Sequence, residues 1–172
     1  IRRRRRLFAA VLDELAAEGW IVTVRAAAGP GDAEAFAAAG AASPDFDVIA
    51  AAGGDGTLNE VANGLCRGAE DSADAAPALA TVPLGTVNIL ALEIGLVMRA
   101  GPIAHAIARG PHVALTAGVA NGRRFVLTAG VGIDAAAVER LSVAAKRALG
   151  LAAYSLAVAR ALAAEGGTVF VV

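Results

Sequence analysis

Residues 47–65 read DVIAAAGGDGTLNEVANGL and decide the fold, because a strand, a glycine-rich turn and a helix follow one another directly. Residues 47–52 are apolar after Asp47 and show no polar alternation, which is typical of a parallel strand covered by helices on both faces. Four apolar residues then recur at helical spacing: Leu58, Val61, Ala62 and Leu65. The segment therefore predicts a βα unit whose turn, residues 53–57, lies at the carboxyl end of the strand.

A second unit of the same kind follows downstream. Residues 78–82 predict a strand, residues 83–88 read PLGTVN and predict a turn, and residues 88–96 predict a helix. Repeated βα units indicate an α/β fold, with a Rossmann-like parallel sheet and helices on both faces.

Upstream, three further elements precede the first unit. Residues 7–18 predict an amphipathic helix that ends at Gly19. Residues 20–25, which include the β-branched residues Ile21, Val22 and Val24, predict a strand. A Gly-Pro-Gly turn then leads into an alanine-rich helix over residues 33–39, with Asp32 as its expected N-cap.

The pattern changes after residue 110. Residues 113–120 and 123–129 flank Asn121-Gly122, which is a strong signal for a β-hairpin. We therefore expect an α/β domain over residues 1–110 and the start of a β-rich second domain over residues 111–172. A helical region after Asp134 and a strand over residues 168–172 complete the prediction.

Composition excludes several classes of protein. The net charge of −1 gives no electrostatic argument for binding nucleic acid, and a single cysteine, Cys66, excludes an internal disulfide. The longest uncharged stretch, residues 75–92, contains prolines and glycines, so we expect no transmembrane segment. These features favour a cytoplasmic protein. The basic run at residues 2–6 is interpreted either as a contact for anionic lipid heads or as a solvated helical turn.

The two glycine turns are the candidate binding site. A glycine turn before a helix leaves backbone N–H groups pointing outward, where the helix dipole favours an anion such as phosphate. Two such turns at neighbouring strand ends would line one crevice. Asp55 would repel phosphate unless it holds Mg²⁺ or accepts a proton from an attacking hydroxyl. The alternative is that Gly-Gly-Asp-Gly is only a tight turn; the P-loop and dinucleotide patterns are absent.

Residues 53–65 together with residues 83–88 resemble the diacylglycerol kinase catalytic-domain family, which includes bacterial lipid kinases and sphingosine and ceramide kinases. Supporting similarity lies in GPGDA at residues 29–33 and GVGID at residues 130–134. The resemblance implies an ATP site, with Mg²⁺ alongside, between a nucleotide-binding domain over residues 1–110 and a β-sandwich, lipid-binding domain over residues 111–172. It also implies that the first domain lacks its first strand and that both ends are truncated.

Residue roles follow from the same resemblance. Catalytic roles are expected for Asp55, close to the transferred phosphoryl group, and for Asp134, near the lipid headgroup. The residues expected to contact the nucleotide are Gly53, Gly54, Asp55, Gly56, Thr57, Leu58, Asn59, Gly85, Thr86 and Asn88. No protein metal ligand is assigned, because the family's later acidic residues would lie beyond Val172.

The functional prediction is an ATP-dependent lipid kinase that phosphorylates a hydroxyl of diacylglycerol or a related lipid. The expected partner is a lipid substrate at the inner face of the membrane, and a homodimer is compatible with the sequence. Two alternatives stay open: an inactive nucleotide- or lipid-binding fragment, and a soluble-substrate kinase of the NAD kinase type, which shares the Gly-Gly-Asp-Gly-Thr turn.

Overall fold

A computed structural model of the chain describes residues 2–68, residues 76–130 and residue 135. The described elements are α1 (Arg2–Ala17), α2 (Asp32–Ala41), β1 (Val48–Gly53), α3 (Asp55–Gly68), β2 (Ala78–Pro83), α4 (Ile89–Glu93), α5 (Ala100–Arg109), β3 (Gly118–Ala120) and β4 (Arg123–Phe125). The chain divides into two compact units, residues 1–127 and residues 128–172, and all of these elements belong to the first. The domain boundary between residues 110 and 111 stays a prediction.

The sheet that positions the glycine turns consists of β1 and β2. The two strands pair in parallel, with Val48 opposite Ala78 and Gly53 opposite Pro83. Leu84 N–H continues the ladder by donating to Gly53 O over 2.8 Å. The parallel βα units predicted from residues 47–65 and 78–88 are therefore confirmed.

Helices cover both faces of this sheet. On one face, α1 and α5 pack with β2 around Val11, Leu15, Val82, Ile103, Ala104 and Ile107. On the other, α2 and α3 pack with β1 around Ala33, Ala37, Ala51, Leu58, Val61 and Leu65. Ala51 and Val82 lie one step apart in register, so their side chains point to opposite faces. The Rossmann-like α/β class is confirmed.

Three local predictions were wrong or incomplete. Residues 20–25 do not form a strand: they have no ladder partner among the described residues, so their β-branched side chains alone do not create one. Asp32 does not cap α2, because its carboxylate accepts hydrogen bonds from the Ala28 and Gly29 amides, and Gly31 takes the N-cap position. Helix α5 was not predicted from the sequence.

The predicted hairpin is present, with shorter strands than expected. β3 and β4 pair antiparallel, and both turn residues have positive φ, 50° at Asn121 and 75° at Gly122, as a type I′ turn requires. The hairpin packs on α3, where the Asn63 side chain donates to Arg124 O over 2.8 Å and accepts from Arg124 N over 3.0 Å. The predictions for residues after Asp134 lie outside the described residues.

No helix within the described ranges has the length and apolar character needed to cross a membrane.

The packing of α2 on α3 yields a stability prediction. A Cβ added at Gly64 would overlap the Glu34 carbonyl oxygen and the Ala37 side chain, whereas one added at Gly101 would lie 4.0 Å from its nearest neighbour, a Glu14 carboxylate oxygen. We expect Gly64→Ala to lower the free energy of unfolding by about 1–3 kcal/mol, because the two helices must separate. Urea denaturation of the 172-residue chain measures this change.

The matched control is Gly101→Ala, the same substitution in another helix. It should leave stability unchanged or raise it by up to about 1 kcal/mol, since alanine has the higher helix propensity. Equal losses in both variants would contradict the close packing of α2 on α3.

Candidate functional site

The two glycine turns meet at one edge of the sheet. We call residues 53–57 loop 1 and residues 83–88 loop 2; they follow β1 and β2, whose carboxyl ends lie side by side. A Cβ added at Gly54 would lie 3.1 Å from the Gly85 Cα, and one added at Gly85 would overlap the Gly54 Cα. The two backbones are thus in direct contact, which only glycine permits at these positions.

The Asp55 side chain joins the two loops. Its Oδ1 accepts a hydrogen bond from the Ile89 amide over 2.7 Å, and its Oδ2 accepts one from the Asn88 amide over 3.2 Å. These amides belong to the start of α4, so Asp55 acts as an N-terminal cap supplied by a different helix. The sequence did not predict this role, because the cap and its helix are separated by more than 30 residues.

The Asn88 side chain closes loop 2 on itself. Asn88 is buried and has φ 59°. Its Oδ1 accepts a hydrogen bond from Gly85 N over 2.7 Å, and its Nδ2 donates to Gly85 O over 3.3 Å. Asn88 therefore holds the shape of the loop that Asp55 caps.

Loop 1 keeps a set of backbone donors free. Within the described part of the chain, the amides of Gly54, Asp55, Gly56 and Thr57 have no hydrogen-bond acceptor, and Leu58 N, which donates to Gly54 O over 3.0 Å, is the first that has one. A Cβ added at Gly56 would meet nothing within 4 Å, so the space beside this loop is open. Free amides at the N-terminus of a 14-residue helix form a favourable site for an anion.

We call the surface that the two loops share the crevice; on its loop 2 side, Thr86 and Val87 are exposed. Thr86 is the predicted contact residue of loop 2 that carries a hydroxyl. This hydroxyl forms no hydrogen bond with any described residue. The structure places these predicted residues on two adjoining loops: Gly53, Gly54, Asp55, Gly56, Thr57, Gly85 and Thr86. Their contacts with a nucleotide stay predictions.

Three of the predicted contact residues are engaged inside the protein. Leu58 is buried in the core, Asn59 Oδ1 accepts a hydrogen bond from Val126 N over 3.4 Å, and Asn88 closes loop 2. These three side chains thus help to hold the structure of the loops. Asp134, the other predicted catalytic residue, lies outside the described residues.

Glu60 has a partner that the sequence did not indicate. Its Oε2 accepts a hydrogen bond from Gly31 N over 3.1 Å, at the N-terminus of α2. The bond ties the Gly-Pro-Gly-Asp turn to the first turns of α3. Glu60 thus positions a third loop at the edge of the sheet that carries loops 1 and 2.

The described side chains suit a magnesium ion only if phosphate oxygens supply part of its coordination shell. In the part of the chain that the structure describes, no group of three or more His, Cys, Asp or Glu side chains could hold a metal ion. Mg²⁺ at nucleotide sites uses one or two carboxylates and completes its shell with phosphate oxygens and water. Asp55 supplies one carboxylate at the crevice, and each of its oxygens has a second lone pair.

Comparison with known proteins shows that the part of the chain carrying loops 1 and 2 matches a family model. The model of the diacylglycerol kinase catalytic domain matches residues 2–120, which include both loops. The chain is 37% identical over 128 residues to a diacylglycerol kinase of Bacillus subtilis, covering 72% of this chain and 39% of that protein. It is 46% identical over 79 residues to a probable lipid kinase YegS-like of Stenotrophomonas maltophilia, covering 46% of this chain and 25% of that protein.

A third relative, a probable lipid kinase YegS-like of Pseudomonas putida, is 30% identical over 141 residues, covering 82% of this chain and 45% of that protein. The chain thus spans less than half the length of these relatives. No solved structure gives a significant match.

The capping role of Asp55 can be tested through stability. We expect Asp55→Ala to lower the free energy of unfolding by about 1–3 kcal/mol, because two amides of α4 lose their acceptor. Asp55→Asn keeps one carbonyl oxygen as an acceptor and should lose less. Urea denaturation gives the free energies, and hydrogen exchange at the Ile89 amide should accelerate in both variants.

Asp13→Asn on the exposed face of α1 serves as the control and should leave both measurements unchanged. If Asp55→Ala behaves like this control, Asp55 does not cap α4.

Proposed function

Because the chain belongs to the diacylglycerol kinase catalytic-domain family, we propose that its α/β unit binds the phosphates of ATP and that the whole protein transfers the γ-phosphoryl group to the hydroxyl of a lipid. One observation supports the phosphate site: four amides at the N-terminus of α3, beside loop 2, have no hydrogen-bond acceptor among the described residues. The names of the relatives, diacylglycerol kinase and probable lipid kinase, support the lipid as acceptor.

In this proposal the backbone of loop 1 holds the nucleotide. The amides of residues 54–57 donate to phosphate oxygens, and the dipole of α3 adds a favourable field. The Thr86 hydroxyl donates from the opposite side. Because these donors are already oriented by the contact between Gly54 and Gly85, little reorganisation is needed when the charged phosphates enter.

Asp55 has two tasks in the proposed reaction. Through its hydrogen bonds to α4 it keeps loop 2 against loop 1, and through its remaining lone pairs it would hold the Mg²⁺ that accompanies ATP. Mg²⁺ held there would neutralise charge on the phosphates. Positioning and electrostatic stabilisation supply most of the catalysis in phosphoryl transfer, so both tasks contribute to the rate.

The acceptor side of the reaction is assigned to the second unit of the chain and to the rest of the protein. Asp134 is proposed to meet the lipid headgroup. The lipid is diacylglycerol or a related alcohol, reached at the membrane surface.

Two other functions remain as rivals. The first is a nucleotide- or lipid-binding module that binds its ligand without phosphoryl transfer. A kinase for NAD would share loop 1. Binding of ATP without transfer by the whole protein supports the module, and phosphorylation of NAD in place of lipid supports the NAD kinase.

The phosphate site is tested by nuclear magnetic resonance on the 172-residue chain. ATP with Mg²⁺ should shift the amide resonances of Gly54, Asp55, Gly56 and Thr57 more than those of any other described residue, because these amides gain acceptors. Adenosine, the same ligand without phosphates, is the control and should leave them unchanged. Equal shifts with both ligands, or none, would contradict phosphate binding at loop 1.

The catalytic proposal requires the whole protein. With diacylglycerol in vesicles, Asp55→Asn should lower kcat by roughly 100-fold or more. The substitution weakens both a metal ligand and the hydrogen bonds that hold loop 2 against loop 1. Asp13→Asn should have the wild-type rate. A wild-type rate in the Asp55 variant would remove Asp55 from the mechanism.

A further inference from the structure

The outer edge of β4 is bound by side chains of α3. Within the hairpin, Arg123 of β4 pairs with Ala120 of β3, next to the two-residue turn. Backbone groups of successive strand residues point alternately to the two edges, so those of Arg124 point away from β3. There the Asn63 Nδ2 donates to Arg124 O over 2.8 Å, and the Asn63 Oδ1 accepts from Arg124 N over 3.0 Å. One asparagine amide thus supplies the donor and the acceptor that a residue of a neighbouring strand would supply.

A second asparagine of α3 binds the same edge. Asn59 Oδ1 accepts a hydrogen bond from Val126 N over 3.4 Å. Asn59 and Asn63 are four residues apart, which places them on one face of the helix. Arg124 and Val126 are two residues apart, which directs their backbone groups to one edge of the strand. The two spacings match, and we call Asn59 and Asn63 the asparagine clasp.

An ion pair holds the beginning of β4. The Arg123 guanidinium donates to Glu34 Oε2 over 3.1 Å, and Glu34, in the first turn of α2, also pairs with Arg67 of α3. Glu34 is buried, and a buried carboxylate is stable only when cationic partners compensate for its lost hydration. The hairpin is therefore attached to both helices that cover this face of the sheet.

These contacts give β4 a direction along α3. Arg124 is bound at Asn63, and Val126 is bound at Asn59, which lies about one helical turn closer to loop 1. β4 therefore runs antiparallel to α3, toward the end of the helix where loop 1 lies. Val126 and Leu127 pack against the core that α2 and α3 form with β1. Leu127 is the last residue of the first unit, so the later part of the chain continues from this end of β4.

We propose that Asn63 is a positioning residue for phosphoryl transfer: it sets the register of β4 on α3, so that the chain after Leu127 starts from a fixed place at the loop 1 end of the helix. The inference rests on the proposed function, in which loop 1 holds the phosphates and the later part of the chain meets the lipid. Asn63 itself contacts neither substrate in this proposal and acts through Arg124.

The geometry of a strand explains why this register matters. A slip of β4 by two residues, the smallest that brings equivalent backbone groups back to α3, would move its end by about 7 Å. Misplacing reacting groups by about 1 Å can lower a rate by up to about 100-fold. A bidentate contact at Arg124, supported by Asn59 and Glu34, excludes such a slip.

Hydrogen exchange on the 172-residue chain tests the clasp itself. Asn63→Ala removes the donor and the acceptor without adding volume, so the Arg124 and Val126 amides should exchange at least about tenfold faster. The Leu84 amide, which donates to Gly53 O in the β1–β2 ladder, should be unchanged. Unchanged exchange at both hairpin amides would overturn the proposal.

The matched control is Val11→Ala, which shortens a fully buried side chain on the opposite face of the sheet. It should lower the melting temperature, because a core cavity is created, while the Arg124 and Val126 amides exchange as in the wild type. Acceleration of these two amides by Val11→Ala as large as that caused by Asn63→Ala would mean that they report general destabilisation, which also contradicts the clasp.

Kinetics of the whole protein test the positioning role. With diacylglycerol in vesicles, Asn63→Ala should lower kcat/KM for the lipid by at least about tenfold, because the acceptor is held less precisely. The KM for ATP should stay within about twofold of the wild-type value, since loop 1 keeps its amides. Val11→Ala, assayed below its melting temperature, should change neither constant. Asn63→Asp keeps an acceptor for Arg124 N, should give intermediate values, and carries both tests if the alanine variant does not fold.

Two kinetic results would overturn the positioning role. A wild-type kcat/KM for the lipid, with the hairpin amides released, would mean that the clasp serves stability alone. A parallel rise in the KM for ATP would mean that Asn63 acts on loop 1. A whole protein that phosphorylates no lipid would contradict the proposed function and the positioning role together. The exchange measurement involves neither ATP nor lipid, so it separates that failure from failure of the clasp.

Discussion

The backbone contact between Gly54 and Gly85 is the constraint on which the rest of the site depends. It sets loops 1 and 2 against each other at the end of the β1–β2 ladder. The contact is only possible because neither residue has a side chain, and the Asp55 carboxylate holds it by bonding the first amides of α4. Any substitution that separates the two loops changes the cap of α4 and the width of the crevice together.

The polar groups of the two loops are divided between support and binding. The side chains of Asp55 and Asn88 satisfy amides of loop 2 and the start of α4, whereas the first four amides of the α3 terminus have no acceptor in the part of the chain that the structure describes. A terminus whose amides were all paired internally would have nothing to offer an anion. The same loop geometry thus explains both the rigidity of the crevice and its suitability for phosphate.

Local signals in the sequence predicted the parts of the fold that depend on local physics. The apolar run before loop 1, the helical stripe after it and the Asn121-Gly122 turn were each sufficient to identify an element. Long-range hydrogen bonds could not be predicted from local signals, because they join residues distant in sequence. Examples are the capping of α4 by Asp55, the bond from Gly31 to Glu60 and the bond from Val126 to Asn59. Residues 20–25 show the converse case, since strand propensity alone does not make a strand without a partner.

The central claim, that loop 1 binds nucleotide phosphate through its free amides, is tested most directly by a crystal structure of the chain with ATP and Mg²⁺. The account predicts phosphate oxygens at hydrogen-bonding distance, about 2.7–3.2 Å, from the nitrogens of residues 54–57. A structure with the phosphates bound elsewhere, and these amides still without an acceptor, would contradict it.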